Sequence, residues 1–518
     1  MIRTDLIVPM GRMLRQHAAR RPAKLAFEDA SGASVTYAQL ESRSAALAGQ
    51  LQDHGLKVRG TVAILLPNGV DWVLACAAIA RAGGVSVPIS HDAVEAEIHY
   101  RLEDAQCSAV LVSQRHLALV ERLRPQLPAL ATVIVADGPV SGSQLSLPVL
   151  LQGETQSAPR DPEDMNATAF LVYTSGTTGR AKGVMLSMHS MLWVTAACWA
   201  PIAGMSEGDT LLSPLPLFHS YALNICVLSV MATGASAFLL ERFSTHEVVN
   251  RLQGGRYTLM PGVPTMFHYL LESSRSSGNW QLPGVRYLIS AGAILPAALN
   301  QDFEAAFHVP LLDGYGITDT STMVTMNWPN APRVMGSCGL PVPGLATRIV
   351  DGRGHDVAFG AEGQLIVRGP NVMQGYLNKP KETAEALVNG WYYTGDLARS
   401  DANGFLTITG RVKELIIRGG QNIAPAEVEE AVLKHPDVLD CAAIGIAHPH
   451  LGEVPVVCVV AREGRAVDGD SVREHCATLL SSYKVPQSVH LVAAIPRTGS
   501  GKIMRFKLRE QLEATTPK

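Results

Sequence analysis

Residues 173–184, YTSGTTGRAKGV, carry the densest set of groups able to hold an anion. Thr174, Ser175, Thr177 and Thr178 alternate with Gly176 and Gly179, and Lys182 follows. Glycines let backbone amides approach an anion closely, hydroxyls donate further hydrogen bonds, and a lysine adds positive charge. That is the chemistry of a triphosphate cradle. It differs from a Walker A loop, because Ala181 precedes the lysine and Gly183 follows it. The apolar run AFLVY ahead of the loop predicts a buried strand, and the pattern after it predicts a helix.

Such a loop needs a rigid frame, and the chain supplies alternating elements. VAILLP (62–67) reads as a strand before an Ala-rich helix at 70–82, and SAVLVS (108–113) and ATVIVA (131–136) repeat the style. The alternation predicts an α/β protein with mostly parallel sheets layered with helices. Residues 137–166, rich in Ser, Gly, Pro and Gln, read as a surface connection. Short strands and turns fill 351–409. A helix at 426–434, strands at 442–447 and 454–461 and a helix at 470–481 then form a small α+β unit. The expected division is 1–411 and 412–518, with the boundary at 411–414. HPH at 448–450 lacks metal-binding partners and reads as a turn.

Composition agrees. A chain of 518 residues exceeds one ordinary core. With 47% hydrophobic and only 17% charged residues it has a large interior, which excludes general disorder. Lys+Arg 43 against Asp+Glu 46 leaves no basic excess for nucleic acid. Its eight cysteines form no CxxC pair, so reduced thiols in a cytoplasmic protein are expected. Arg3, Asp5, Pro9 and Arg12 interrupt any secretory signal. The uncharged stretch 223–240 approaches the length of a membrane span, but Asn224 and Gly234 favour a buried helix followed by a buried strand, so no transmembrane segment is expected.

Six segments in order resemble the adenylate-forming superfamily, which includes acyl-CoA synthetases. They are the loop above, SAGAILP (290–296), DGYGITD (313–319), YYTGDLA (392–398), GRVKELIIRGGQNIAPAEVE (410–429) and PRTGSGKIMR (496–505). The resemblance covers nearly the whole chain and implies two half-reactions. A carboxylate attacks the α-phosphate of ATP, giving an acyl-adenylate and pyrophosphate; a thiol, usually that of coenzyme A, then displaces AMP. It implies a large N-terminal domain and a small mobile C-terminal one. Thr174 to Gly179 and Lys182 would cradle the phosphates. Lys502 would contact the carboxylate and the α-phosphate; Asp396 and Arg411 would hold the ribose and nearby phosphate. Tyr315 would lie against the adenine, with Asp313 at its amine, the backbone of Ala291, Gly292 and Ala293 opposite, and Gly314, Gly316 and Thr318 in the same motif. Asp319 would ligate Mg²⁺. Most relatives place Glu there, so the metal moves closer or a water bridges the gap. Ala181, where proline is common, softens the loop.

The resemblance also makes Lys413 the hinge of a rotating small domain, and lines a pantetheine channel with Gly419 and Gly420. His219 would gate the acyl and thiol channels, and the acyl pocket would be built by His219, Tyr221, Val263, Ile294 and Ile317. These are mostly apolar, which points to an aliphatic or alicyclic monocarboxylate. Three functions remain open: an acid–CoA ligase, an enzyme passing the acyl group to a carrier-protein thiol or an amine, and a nucleotide-binding regulator without turnover. The glycines at 419–420 favour CoA; Lys502, Asp396 and Arg411 argue against the regulator. A monomer or homodimer is expected.

Overall fold

A computed structural model describes residues 1–174, 181–278, 280–419, 421–498 and 501–515. Two large sheets form the body. One runs, edge to edge, through Leu340–Pro341, Thr325–Met326, Leu311–Tyr315, Tyr287–Ser290, Leu259–Gly262, Thr210–Ser213, Ser236–Leu239, Leu25–Asp29 and Ser34–Thr36. Its middle strands are parallel, from Leu311–Tyr315 across to Leu25–Asp29. The other runs through Gly375–Tyr376, Lys182–Ser187, Thr168–Thr174, Val85–Pro88, Thr61–Leu65, Ala109–Val112, Thr132–Val135 and Leu145–Ser146. It is parallel from Thr168–Thr174 onward.

Helices pack between the sheets in one continuous core. Val70–Arg81 is buried at every residue but Asp71. Its alanines and Cys76 keep the cylinder thin enough to fit between two sheets, where bulkier side chains would push the layers apart. The stretch 223–240 is a helix, with a π-helical segment at Leu223–Leu228, that ends at Gly234 (φ 76°) and leads into Ser236–Leu239, buried throughout. Among the described residues no helix is long and apolar enough to cross a membrane. All eight cysteines are free and buried.

A third, antiparallel sheet holds Ala346–Val350, Gly363–Arg368, Trp391–Ser400 and Leu387–Val388, with Leu406–Arg411 beside Trp391–Ser400. After Arg411 comes one 3-10 turn, Val412–Glu414, and then a different sheet. That sheet contains Ile416–Arg418, Gln421–Ile423, the long hairpin Val438–His448 with Gly452–Ala461, and Ser488–Leu491. Pro425–Leu433 and Gly469–Leu479 cover one apolar cluster, and Arg505–Thr515 closes another. The C-terminal sheet therefore has cores of its own. The HPH segment is the turn of the long hairpin, as its sequence predicts.

Candidate active site

The phosphate-loop motif departs from expectation in one respect. Thr168–Thr174 is the predicted buried strand, but a strand and not a helix follows the loop: Lys182–Ser187 runs back antiparallel, with Lys182 opposite Thr174. Val184 and Leu186 are fully buried, and such branched side chains suit a covered sheet. Lys182 therefore opens a strand and not a helix. Ser175, Gly176, Thr177, Thr178 and Gly179 lie outside the described residues. Lys182 Nζ sits 4.7 Å from the centre of the Tyr376 ring.

Leu311–Tyr315 brings Asp313 and Gly314 into the interior. Burial pushes the Asp313 carboxyl well above the usual range. Gly316 is required by space, since a Cβ would stand 1.1 Å from the Thr322 carbonyl oxygen. The Tyr315 hydroxyl donates to Asp396 Oδ2 at 2.5 Å, and Arg411 Nε meets Asp396 Oδ1 at 2.8 Å. The last pair is set by register, because Asp396 faces Arg411 across neighbouring strands. Three residues distant in sequence are thereby joined.

Thr318 and Asp319 lie in the 3-10 turn Thr318–Thr320. Thr318 Oγ1 is 3.0 Å from Ser220 Oγ. Asp319 Oδ1 accepts the Tyr376 hydroxyl at 2.5 Å, and the Tyr392 phenol also helps to hold the carboxyl down. Burial still raises the Asp319 carboxyl above its ordinary pKa, against these phenols. A single buried carboxylate beside a hydroxyl offers hard oxygen donors, which fits Mg²⁺ shared with substrate phosphates.

Lys502 reaches the same place from the far end of the chain. Its Nζ is 3.6 Å from Glu414 Oε1, and Arg505 Nε holds the other Glu414 oxygen at 3.2 Å. Burial, helped by Arg411, lowers the Lys502 pKa from its ordinary 10.5, while Glu414 opposes that shift. Gly501 (φ 83°) seats the lysine loop against the body, where a Cβ would approach Val263 Cγ2 to 2.9 Å. A second tie is Arg462 Nη1 to Glu272 Oε2 at 2.9 Å, joining the C-terminal sheet to the helix Pro264–Ser277.

Several of these groups line one cavity of about 270 Å³. Its lining combines the polar Thr174, Lys182, Arg411, Lys413 and Lys502 with the largely apolar Leu215, Tyr221, Ala222, Val263, Ile317 and Met323. Ala291, Gly292, His219, Thr318 and Asp319 also line it. Burial lowers the pKa of His219 to about 4, so the imidazole is neutral at physiological pH. The Tyr221 hydroxyl donates to the Ile289 carbonyl at 3.1 Å. The Tyr221 ring centre lies 6.3 Å from that of Trp199, which is fully buried and donates to Asn224 Oδ1 at 2.7 Å.

Some expected residues lie elsewhere. Ile294 is 42% exposed and does not line the cavity, so it is removed from the acyl wall; the turn after Tyr287–Ser290, with Gly292 at φ 87°, carries it outward. Ala293, which is exposed, and the buried or partly buried Asp313, Gly314, Tyr315 and Asp396 are not part of the lining. Gly419 (φ 57°) forms a turn, its N–H donating to the Leu451 carbonyl at 2.7 Å, away from the cavity. Gly420 lies outside the described residues. Lys413, expected as a hinge, is itself part of the lining. Sequence reading missed Tyr173, Tyr376, Tyr392 and Thr394. Tyr173, Tyr392 and Thr394 adjoin named motif residues, but nothing local marks Tyr376.

Comparison with known proteins agrees with this arrangement. The AMP-binding enzyme family matches residues 14–377, and the AMP-binding enzyme C-terminal domain matches residues 427–502. The indoleacetate–CoA ligase of Aromatoleum aromaticum is 33% identical over 506 residues, covering 97% of this chain and 98% of its own. The sulfoacetate–CoA ligase of Cupriavidus necator is 34% identical, covering 92% of each. The crystal structure of the anthranilate CoA ligase AuaEII with anthranoyl-AMP superimposes with a TM-score of 0.92 at 26% identity, covering 100% of both chains. The chain therefore belongs to the AMP-binding enzyme family and, like its full-length relatives, is an AMP-forming acyl-CoA ligase.

Proposed function

We propose that this ligase activates a compact monocarboxylic acid with no second charge, through an acyl-adenylate, and delivers it to coenzyme A. One observation carries the reading: Lys502 lines a single cavity together with Thr174, Lys182 and Arg411 and with the apolar side chains of Leu215, Val263, Ile317 and Met323. In the first half-reaction a carboxylate oxygen bonds to the α-phosphorus of ATP and pyrophosphate leaves. Two anions must approach, so cations and fixed donors are needed where charge accumulates. Lys182 and the 174–179 hydroxyls would hold the outer phosphates, Arg411 and Lys502 the inner one, and Asp396 the ribose hydroxyls. Asp319 would hold Mg²⁺, which when bound offsets phosphate charge.

In the second half-reaction the deprotonated sulfur of coenzyme A bonds to the acyl carbon and AMP leaves with the electron pair. The lysine loop occupies space that the thiol needs. Residues 412–518 would therefore turn about the 412–414 segment, bringing Gly419 and Gly420 to the thiol's path. Neutral His219, in the cavity lining, would gate the thiol's path without attracting an anion.

The walls narrow the choice of acid. A cavity of about 270 Å³ that must also admit the nucleotide phosphates favours a compact acid. Neither segment expected to build the acyl pocket, 214–224 or 261–266, contains an arginine or lysine to pair with a second anion. An aliphatic or alicyclic acid fits, as does a single aromatic ring of that size. Eight buried reduced thiols support a cytoplasmic setting, as a monomer or homodimer. The test is pyrophosphate release across a panel of acids, with mass analysis of products after adding coenzyme A. Turnover confined to long-chain or dicarboxylic acids would overturn the reading.

A further inference from the structure

Tyr376 stands where separate parts of the site meet. Its strand, Gly375–Tyr376, pairs antiparallel with the strand that begins at Lys182, Tyr376 facing Val184. Its ring lies under the Lys182 ammonium, 4.7 Å from Nζ to the ring centre. Its hydroxyl donates to Asp319 Oδ1 at 2.5 Å. Its own N–H donates to Thr383 Oγ1 at 2.9 Å, so the helix Pro380–Ala386 braces the strand from behind. A phenol is a stiff rod with two torsions, so it fixes separation better than a flexible side chain. One ring therefore sets the distance between the lysine at the exit of the phosphate loop and the carboxylate on the 318–320 turn.

We propose that Tyr376 is the positioning residue that holds Asp319 and Lys182 in register, the hydroxyl aiming the carboxylate and the ring face seating the ammonium. The inference rests on the adenylation reading given above. Its two contacts can be removed separately. Tyr376→Phe deletes the hydroxyl and keeps the ring; Tyr376→Leu deletes both. Asp319 at one methylene less than Glu has a shorter range of positions, so aiming it matters for a metal that demands near-octahedral geometry.

The experiment measures ATP binding by calorimetry, once in excess chelator and once against a Mg²⁺ titration, with unfolding midpoints as a control. For Tyr376→Phe the metal-free dissociation constant should stay within about twofold, while the Mg²⁺ midpoint rises about tenfold or more, the size of one hydrogen bond to a charged group. Tyr376→Leu should add a loss of metal-free ATP binding of about threefold or more, from the cation–π contact. Tyr376→Phe on an Asp319→Asn background should change the midpoint no further. A wild-type Mg²⁺ midpoint in Tyr376→Phe overturns the proposal, as does equal weakening with and without metal, which would mark a merely structural tyrosine. Wild-type protein that binds no ATP under either condition would instead remove the adenylation reading and the inference with it.

Discussion

Replacing Lys502 with alanine separates catalysis from folding, because the two costs differ greatly in size. In the resting protein Lys502 gives up one ion pair, 3.6 Å from Glu414, with side chains 31% and 22% exposed. A pair that long and partly solvated contributes under about 1 kcal/mol. Glu414 keeps Arg505 at 3.2 Å, so no buried charge is orphaned. In the adenylation transition state the same ammonium faces charge gathering between carboxylate and α-phosphate inside a closed cavity. Losing one such preorganised group costs about 3–4 kcal/mol, or roughly 10²–10³ in rate. The catalytic loss therefore exceeds the structural one several-fold. Single-turnover quench kinetics should show adenylate formation slowed by about 10²–10³ while thioester formation from supplied acyl-AMP changes less than about threefold. Equal losses in both half-reactions, or adenylation within about tenfold of wild type, would refute the assignment.

Four further outcomes follow from the same geometry. Asp319→Asn should raise the Mg²⁺ midpoint of pyrophosphate release and leave acyl transfer from preformed adenylate nearly unchanged; an unaltered midpoint removes Asp319 from the metal site. Lys413→Pro fixes φ near −65° within the 412–414 turn, so adenylate should form and thioester should not; a normal thioester rate would show that the pivot lies elsewhere. Arg462→Ala breaks the 2.9 Å tie to Glu272, a half-exposed pair of about 0.5–1 kcal/mol, and should slow adenylation about two- to fivefold without slowing thioester formation; rate ratios measured at low and high salt check it. Because burial holds Lys502 below 10.5, adenylation should fail on the alkaline side at a pH beneath that value, and Glu414→Gln, which removes the group raising it, should shift the fall to still lower pH; coincident pH profiles would contradict this.

Local order was legible wherever one physical signal dominated. Unbroken apolar runs such as AFLVY gave buried strands, and the alanines of 70–81 gave a helix able to sit between two sheets. The hairpin at 182–187 was misread because covered strands and buried helices share the same lack of alternation. Ile294 was misplaced for a different reason: a motif fixes a backbone path, but a left-handed glycine two residues earlier decides where the side chain points. Tyr376 was invisible because its partners, Asp319 and Lys182, come from elements brought beside it only by sheet pairing. Asp396 and Arg411 were found through their motifs, while the register that joins them emerged only with the fold.

The burial of every cysteine has a practical corollary. Desolvation raises these thiols, Cys76, Cys107, Cys226 and Cys338 to about 12 and Cys458 and Cys476 to about 11. The thiolate is the species that reacts, so at neutral pH the native protein is nearly silent toward disulfide reagents. Consumption of the coenzyme A thiol can then be followed directly with such a reagent, against almost no protein background. The same reagent becomes a gauge of integrity, since eight buried sulfhydryls become reactive when the chain unfolds.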